Sequence, residues 1–299
     1  MPCKNSGIKM EIGFIGLGRM GSKLAYRLLD ARHSVIGYDP APQLENNHIK
    51  LLSSASEVIR QTAPKRLCFV MVPAANVDSV LSDIKPYLNA GDVVVDAGNS
   101  FYKNSMRRCN ELKKIGVDFL DAGTSGGLEG AANGANFVVG GSREAFEFAM
   151  PAFQAMASEG GILYTGKSGT GHFVKMVHNA IEYGMLEAYA EGFDLLKSEG
   201  IDVASVAKTW EEGSVVRSWL LELITRCLER DAELKDYTGK IGGGESGGWA
   251  ISEAESRGIG FSAIESAQSA RKDSAINSSY ASKLISALRE EFGGHKEPK

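Results

Sequence analysis

The chain has 299 residues, a net charge of −4, and hydrophobic and charged fractions of 43% and 23%, the make-up of a globular protein with surface enough for one large or two medium domains. No basic block or face stands out, so nucleic-acid and membrane-surface partners are not expected. No uninterrupted apolar run reaches the ~18 residues of a membrane span, and "MPCKNSGIKMEIGFIG" has no apolar core after its first lysines, so we expect neither a span nor a signal peptide.

A cytoplasmic location fits the cysteines. Cys3, Cys68, Cys109 and Cys227 form no C-x-x-C pair and read as reduced thiols. No compact His, Asp or Cys ligand cluster occurs, and no metal is expected.

In chain order, "EIGFIG", "SVIGYD", "RLCFVMV", "DVVVDAG", "VDFLDA", "ANFVVGG" and "ILYTG" read as strands. "RMGSKLAYRLLDARH", "NVDSVLSDIKPYL", "SMRRCNELKKIG" and "REAFEFAMPAFQAMA" read as helices. "VVVD" and "CFVMV" are apolar on both faces, as parallel strands covered by helices on both sides must be. This alternation predicts a doubly wound, mainly parallel α/β sheet. Beyond about Gly169 the period turns helical, over roughly 171–199, 202–212, 214–230, 249–257 and 262–292. We therefore expect an α/β domain over 1–168 and an all-α domain over 169–299, led by a long interdomain helix. So short a helical domain needs a partner to cover that apolar helix, which suggests dimerisation.

"IGFIGLGRMGSKLAYRLL" places G-x-G-x-x-G at Gly16, Gly18 and Gly21, between the first strand and a helix. The helix N-terminus would face a pyrophosphate, and Asp39, ending the next strand, would accept from the adenosine ribose hydroxyls. The pattern predicts a Rossmann-type dinucleotide-binding domain. Asp39 would repel a 2′-phosphate, and Pro40 follows it where an arginine would have compensated, so NAD is favoured over NADP. Arg19 reads equally as a pyrophosphate cover or as a solvated residue at a helix start.

"GHFVKMVHNAIEYG", wound as a helix, brings Lys175, His178, Asn179 and Glu182 to one stripe. A helix this apolar should be buried, so an amine, an imidazole, an amide and a carboxylate on one face need a reason. Taken singly, Lys175 and Glu182 could pair or reach solvent, and His178 could be a satisfied core histidine. Together, just past a dinucleotide domain, they suggest a base for alcohol oxidation, since burial lowers a lysine pKa.

The chain resembles decarboxylating 6-phosphogluconate dehydrogenases of the short, NAD-preferring type, within the β-hydroxyacid dehydrogenase superfamily. The likeness runs through "GLGRMG", "VVDAGNS", "DAGTSGGLEGA", "GHFVKMVHNAIEYG", "VVRSWLLEL" and "ALREEFGGH". The resemblance implies oxidation and decarboxylation of 6-phospho-D-gluconate to D-ribulose 5-phosphate and CO2 without a metal. Lys175 would be the general base and Glu182 the acid that protonates C1. Cofactor contacts would come from Gly16, Leu17, Gly18, Arg19, Met20, Gly21, Asp39, Val72, Pro73 and Asn99. Substrate contacts would come from Asn99, Ser125, Gly126, Gly127, His178 and Asn179, and from Tyr183, Arg271, Arg289 and His295 toward the phosphate. Arg289 and His295 would reach a neighbouring subunit's site in a homodimer or homotetramer.

One stretch departs from the family pattern. The basic residue usual before the tryptophan is absent from "KIGGGESGGWAISEAES", where Gly247 and Gly248 precede Trp249. Two other functions stay open: a β-hydroxyacid dehydrogenase acting on an unphosphorylated acid, and a non-catalytic nucleotide-binding protein.

Overall fold

The computed structural model describes residues 9–46 and 48–298; Cys3 lies outside them. The chain divides after Lys175 into two compact units.

The first unit is an eight-stranded sheet with helices on both faces. Its strands are β1 (Glu11–Ile15), β2 (Ser34–Tyr38), β3 (Lys50–Leu51), β4 (Leu67–Val70), β5 (Val93–Asp96), β6 (Asp118–Ser125), β7 (Ala135–Gly140) and β8 (Ala157–Gly166). Their order is β3-β2-β1-β4-β5-β6-β7-β8. All pairings are parallel except β6 with β7. The helices are α1 (Arg19–Asp30), α2 (Ala55–Gln61), α3 (Val77–Ile84), α4 (Tyr102–Lys113), α5 (Gly127–Asn133) and α6 (Arg143–Met156).

Alternate residues of the central strands feed two cores. Phe14, Phe69, Val95 and Leu120 pack with Leu24 and Leu28 of α1 and Phe153 of α6. Ile15, Cys68, Val70, Val94 and Phe119 pack with Val58 of α2, Val77 and Leu81 of α3 and Leu112 of α4. Both faces being covered explains the unbroken apolar runs. The order reverses between β1 and β4, so the loops after these strands flank the crevice where doubly wound sheets take ligands.

Three elements are absent from the sequence reading: β3, α2 and α5. Each is short, from two to seven residues, too few to establish a period. α2 is marked instead by its cap, where Ser54 accepts the backbone N–H of Glu57.

A long helix, α7 (Thr170–Ser198), starts in the first unit and continues into the second, where α8 (Val203–Glu211), α9 (Trp219–Arg230), α10 (Glu245–Ser256), α11 (Ser262–Asp273) and α12 (Tyr280–Gly293) follow. Leu186, Ala190 and Phe193 of α7 pack with Leu221 and Ile224 of α9 and with Leu284, Ile285 and Leu288 of α12. The stretch expected as one helix over 262–292 is two, because Ser279 caps α12 through a reciprocal capping box with Ser282. Nor is α7 buried all round: Ile181 (53%), Met185 (38%) and Leu195 (69%) are exposed along one side.

Candidate functional site

In the first unit the glycine loop joins β1 to α1. Gly16 has φ +100°, and a Cβ on it would lie 2.3 Å from the Met71 carbonyl oxygen after β4. A Cβ on Gly21 would lie 2.0 Å from the Gly16 carbonyl oxygen. Both must be glycine for the loop to close against its neighbours. Gly18 differs, since a Cβ there would meet nothing within 4 Å. It stands at the N-cap of α1, which has no side-chain cap. A bare helix start beside open space suits the pyrophosphate of a dinucleotide.

The other expected cofactor residues border the same crevice. Leu17 is buried beneath the loop, while Met20 and exposed Arg19 begin α1. Asp39 follows β2, and its carboxylate accepts the Leu17 N–H at 2.8 Å and the Ala41 N–H at 2.7 Å. The acid therefore ties the glycine loop to the end of β2. Val72 and Pro73 follow β4, and Gly98 packs so closely that a Cβ on it would lie 2.9 Å from the Val72 carbonyl oxygen.

Asn99 is exposed in the loop after β5. That loop hangs from a buried network. Ser100 Oγ donates to Asp96 Oδ2 at 2.8 Å, and fully buried Arg108 donates to Asp96 at 3.1 Å, to Ser100 at 3.1 Å and to Asp78 at 2.8 Å. Charge-assisted bonds of this kind hold a loop in one geometry.

β6 ends at Ser125, and Gly126, with φ +116°, turns the chain into α5 at Gly127. Lys175 of α7 donates from Nζ to Ser125 Oγ at 2.7 Å. Two residues separated by fifty positions, both expected at the site, are thus in direct contact. A Cβ on Gly123 would lie 2.4 Å from Lys175 Cβ, so the strand is bare where the lysine crosses it.

The second unit holds the remaining set. On α7, His178 Nδ1 lies 3.2 Å from Asn179 Oδ1 and 3.9 Å from Glu182 Oε2. His178 is exposed, not the core histidine that was one alternative. Asn179 Nδ2 donates to Ser246 Oγ at 3.3 Å. The Arg271 guanidinium lies 4.1 Å over the Tyr183 ring and donates to the Gly242 carbonyl at 2.9 Å. A Cβ on Gly243 would lie 3.3 Å from Arg289 Nη2, so both arginines flank the Gly242–Gly244 loop that leads into α10. His295 packs edge-on against Phe292. Arg271 and Arg289 thus lie together within one chain.

The loop lacking a basic residue has a local reason for one of its glycines. A Cβ on Gly247 would lie 2.5 Å from Gln268 Oε1 and 2.9 Å from the Tyr183 ring. Burial pushes the Arg271 and Arg289 guanidiniums below their ordinary values and the Tyr183 phenol above its own. A buried and a half-buried cation at an uncapped helix start favour an anion, although Glu182 and Glu245 also bear on both arginines.

Asp121, Ser105 and His172, buried polar residues of the first unit, escaped the sequence reading, as did Asp96, Ser100 and Arg108. The available signal was an acid inside the apolar run "VDFLDA", since a buried strand rarely carries one without a task.

Residues 11–166 match the NAD binding domain of 6-phosphogluconate dehydrogenase, and residues 171–296 match the 6-phosphogluconate dehydrogenase C-terminal domain. The chain belongs to the 6-phosphogluconate dehydrogenase family. It is accordingly of oxidoreductase type, with a dinucleotide-binding first unit.

The NAD(+)-dependent, decarboxylating 6-phosphogluconate dehydrogenase of Haloferax volcanii is 38% identical over 297 residues, covering 96% of this chain and 98% of that protein. YqeC of Bacillus subtilis (strain 168), provisionally named a 6-phosphogluconate dehydrogenase, is 42% identical over 296 residues, covering 97% of this chain and 100% of that one. The NAD(+)-dependent decarboxylating enzyme of Bacillus subtilis (strain 168) is longer, and the match covers 62% of it at 34% identity and 94% of this chain. Among solved structures, Plasmodium falciparum 6-phosphogluconate dehydrogenase superposes with a TM-score of 0.79 at 28% identity, over 89% of this chain and 62% of that one. Mycobacterium tuberculosis 3-hydroxyisobutyrate dehydrogenase, at 23% identity and a TM-score of 0.75 over 94% of this chain and 100% of that one, shares the fold. Among the described residues no helix is long and apolar enough to cross a membrane.

Proposed function

We propose that this chain oxidises and decarboxylates 6-phospho-D-gluconate to D-ribulose 5-phosphate and CO2 with NAD. The observation that carries this reading is the 2.7 Å bond from Lys175 Nζ to Ser125 Oγ, which puts the one amine of the polar stripe at the anion-suited turn after β6. When bound, NAD supplies a nicotinamide that accepts hydride from C3 of the substrate.

The chain's own residues do the rest. Lys175, as the neutral amine, takes the proton of the C3 hydroxyl. The resulting ketone accepts the C2 electrons as the carboxylate leaves as CO2, and the ammonium form of Lys175 stabilises the developing enolate oxygen. Glu182 protonates C1 of the enediol. Ser125, Gly126, Gly127 and Asn99 hold the carboxylate end, and His178 and Asn179 contact the sugar hydroxyls. Tyr183, Arg271 and Arg289 receive the phosphate, together with His295. Gly16, Leu17, Gly18, Arg19, Met20, Gly21, Val72 and Pro73 hold the dinucleotide, and Asp39 selects NAD over NADP.

We further propose a domain division near 168–169, a cytoplasmic enzyme and a homodimer or homotetramer. Exposed Ile181, Met185 and Leu195 on α7 support assembly. A substrate panel tests the function. With NAD, 6-phosphogluconate should yield NADH and CO2 in equal amounts, while gluconate and 3-hydroxyisobutyrate should yield little. NADH from an unphosphorylated acid alone would move the assignment, and NAD binding without turnover of any acid would make the chain a non-catalytic binder.

A further inference from the structure

The start of α7 is seated on β6 in an unusual way. Asp121, Gly123 and Ser125 alternate along β6 and so share one face. Asp121 is fully buried, and its two carboxylate oxygens accept the N–H of Gly169 at 2.7 Å and of His172 at 2.9 Å. These are the N-cap and third-residue donors of α7, which a helix cannot satisfy itself. The cap therefore comes from a strand nearly fifty residues earlier.

The same turn presses backbone against backbone. A Cβ on Gly171 would lie 2.2 Å from the Asp121 carbonyl oxygen, and one on Gly140 of β7 would lie 2.8 Å from Gly171 N and 2.9 Å from Asp121 Oδ1. On the other side His172 Nδ1 meets Ser105 Oγ at 2.7 Å. One turn further along α7 comes Lys175, over Gly123 and bonded to Ser125. Burial pushes the Asp121 carboxyl above its ordinary range, while His172 and the two N–H donors pull it down and Asp96 adds to the rise. The positive end of the helix favours its ionised form.

We propose that Asp121 is the positioning residue of Lys175: by capping α7 from β6 it fixes the helix so that the amine falls beside Ser125. The inference rests on Lys175 being the base. Fully buried, Asp121 acts only through the helix it holds.

A double-mutant cycle tests it. Asp121→Asn keeps one acceptor but turns an amide N–H toward the other backbone donor. Turnover per NAD-binding site should fall at least ~10-fold, since a displacement of about 1 Å is enough to misalign a reacting group. KM for NAD should stay within ~2-fold, because the glycine loop is untouched. In a Lys175→Ala background the same change should cost nothing further, because a group acting through the lysine has nothing left to position.

Gly140→Ala, which keeps the Asp121 carboxylate chemically intact but crowds both it and the first turn of α7, should behave alike, and it carries the test if Asp121→Asn does not fold. A full additional loss in the Lys175→Ala background would overturn the positioning role, as would wild-type turnover in the tested variant. Near-normal turnover in Lys175→Ala alone would instead overturn the reading of the base.

Discussion

Asp39 ties Leu17 of the glycine loop to the end of β2, and in the proposed reading it also presents negative charge where an adenosine 2′-phosphate would lie. Two like charges ~4 Å apart at an effective dielectric of ~20 repel by about 4 kcal/mol. Asp39→Asn keeps an acceptor for the loop and removes the charge. The ratio of kcat/KM for NAD over that for NADP should therefore fall at least ~10-fold, a cautious share of that repulsion, with NAD itself still bound. Measuring both cofactors on both proteins checks this, and an unchanged ratio would mean that selection lies elsewhere. The glycine loop and the acid were legible from their fixed offsets to strand and helix boundaries, and Lys175 stood out by the polar stripe it shares along its helix. Asp121 was not. Its partners are backbone donors of a helix far along the chain, and no spacing rule links a strand acid to a cap it will supply.

At the scale of the element, α7 combines a fixed start, a polar stripe and a perturbed carboxylate. Burial, with Glu191 one turn on adding to it, pushes the Glu187 carboxyl up to about 7, while Arg271 pulls the other way. The folded state thus holds the proton more tightly than the unfolded chain, whose value lies near 4.5. The stability this contributes is fully present below the unfolded value and is lost as pH rises through about 7. Glu187→Gln stays neutral throughout and should narrow the difference in stability between pH 5 and pH 8.5, by ~1–3 kcal/mol. Denaturant melts of both proteins at both pH values check it, and equal pH dependence would show that Glu187 is not the group responsible. The helical period of α7 was readable from its length. That the chain would not cover all of it was also expected, but which residues stay exposed, Ile181, Met185 and Leu195, was not, because periodicity marks an apolar face without saying what covers each part. The break between α11 and α12 was likewise hidden, since Ser279 acts through its capping box with Ser282 and not through hydrophobic spacing.

For the whole molecule, the doubly wound unit followed by an all-helical one was legible because strand and helix periods separate cleanly along the chain. The antiparallel pairing of β6 with β7 was not, since a strand's apolar pattern is the same in either direction. The proposed chemistry turns first on the dinucleotide loop and on the amine of Lys175 beside Ser125, all of them in the first unit. The assay that bears on this most directly measures NADH and CO2 from 6-phosphogluconate with the wild-type protein and with Lys175→Ala. The wild-type protein should form the two products in equal amounts, and Lys175→Ala should turn over at least ~10²-fold more slowly, as loss of a general base requires. Comparable rates from the two proteins would contradict the assignment of Lys175.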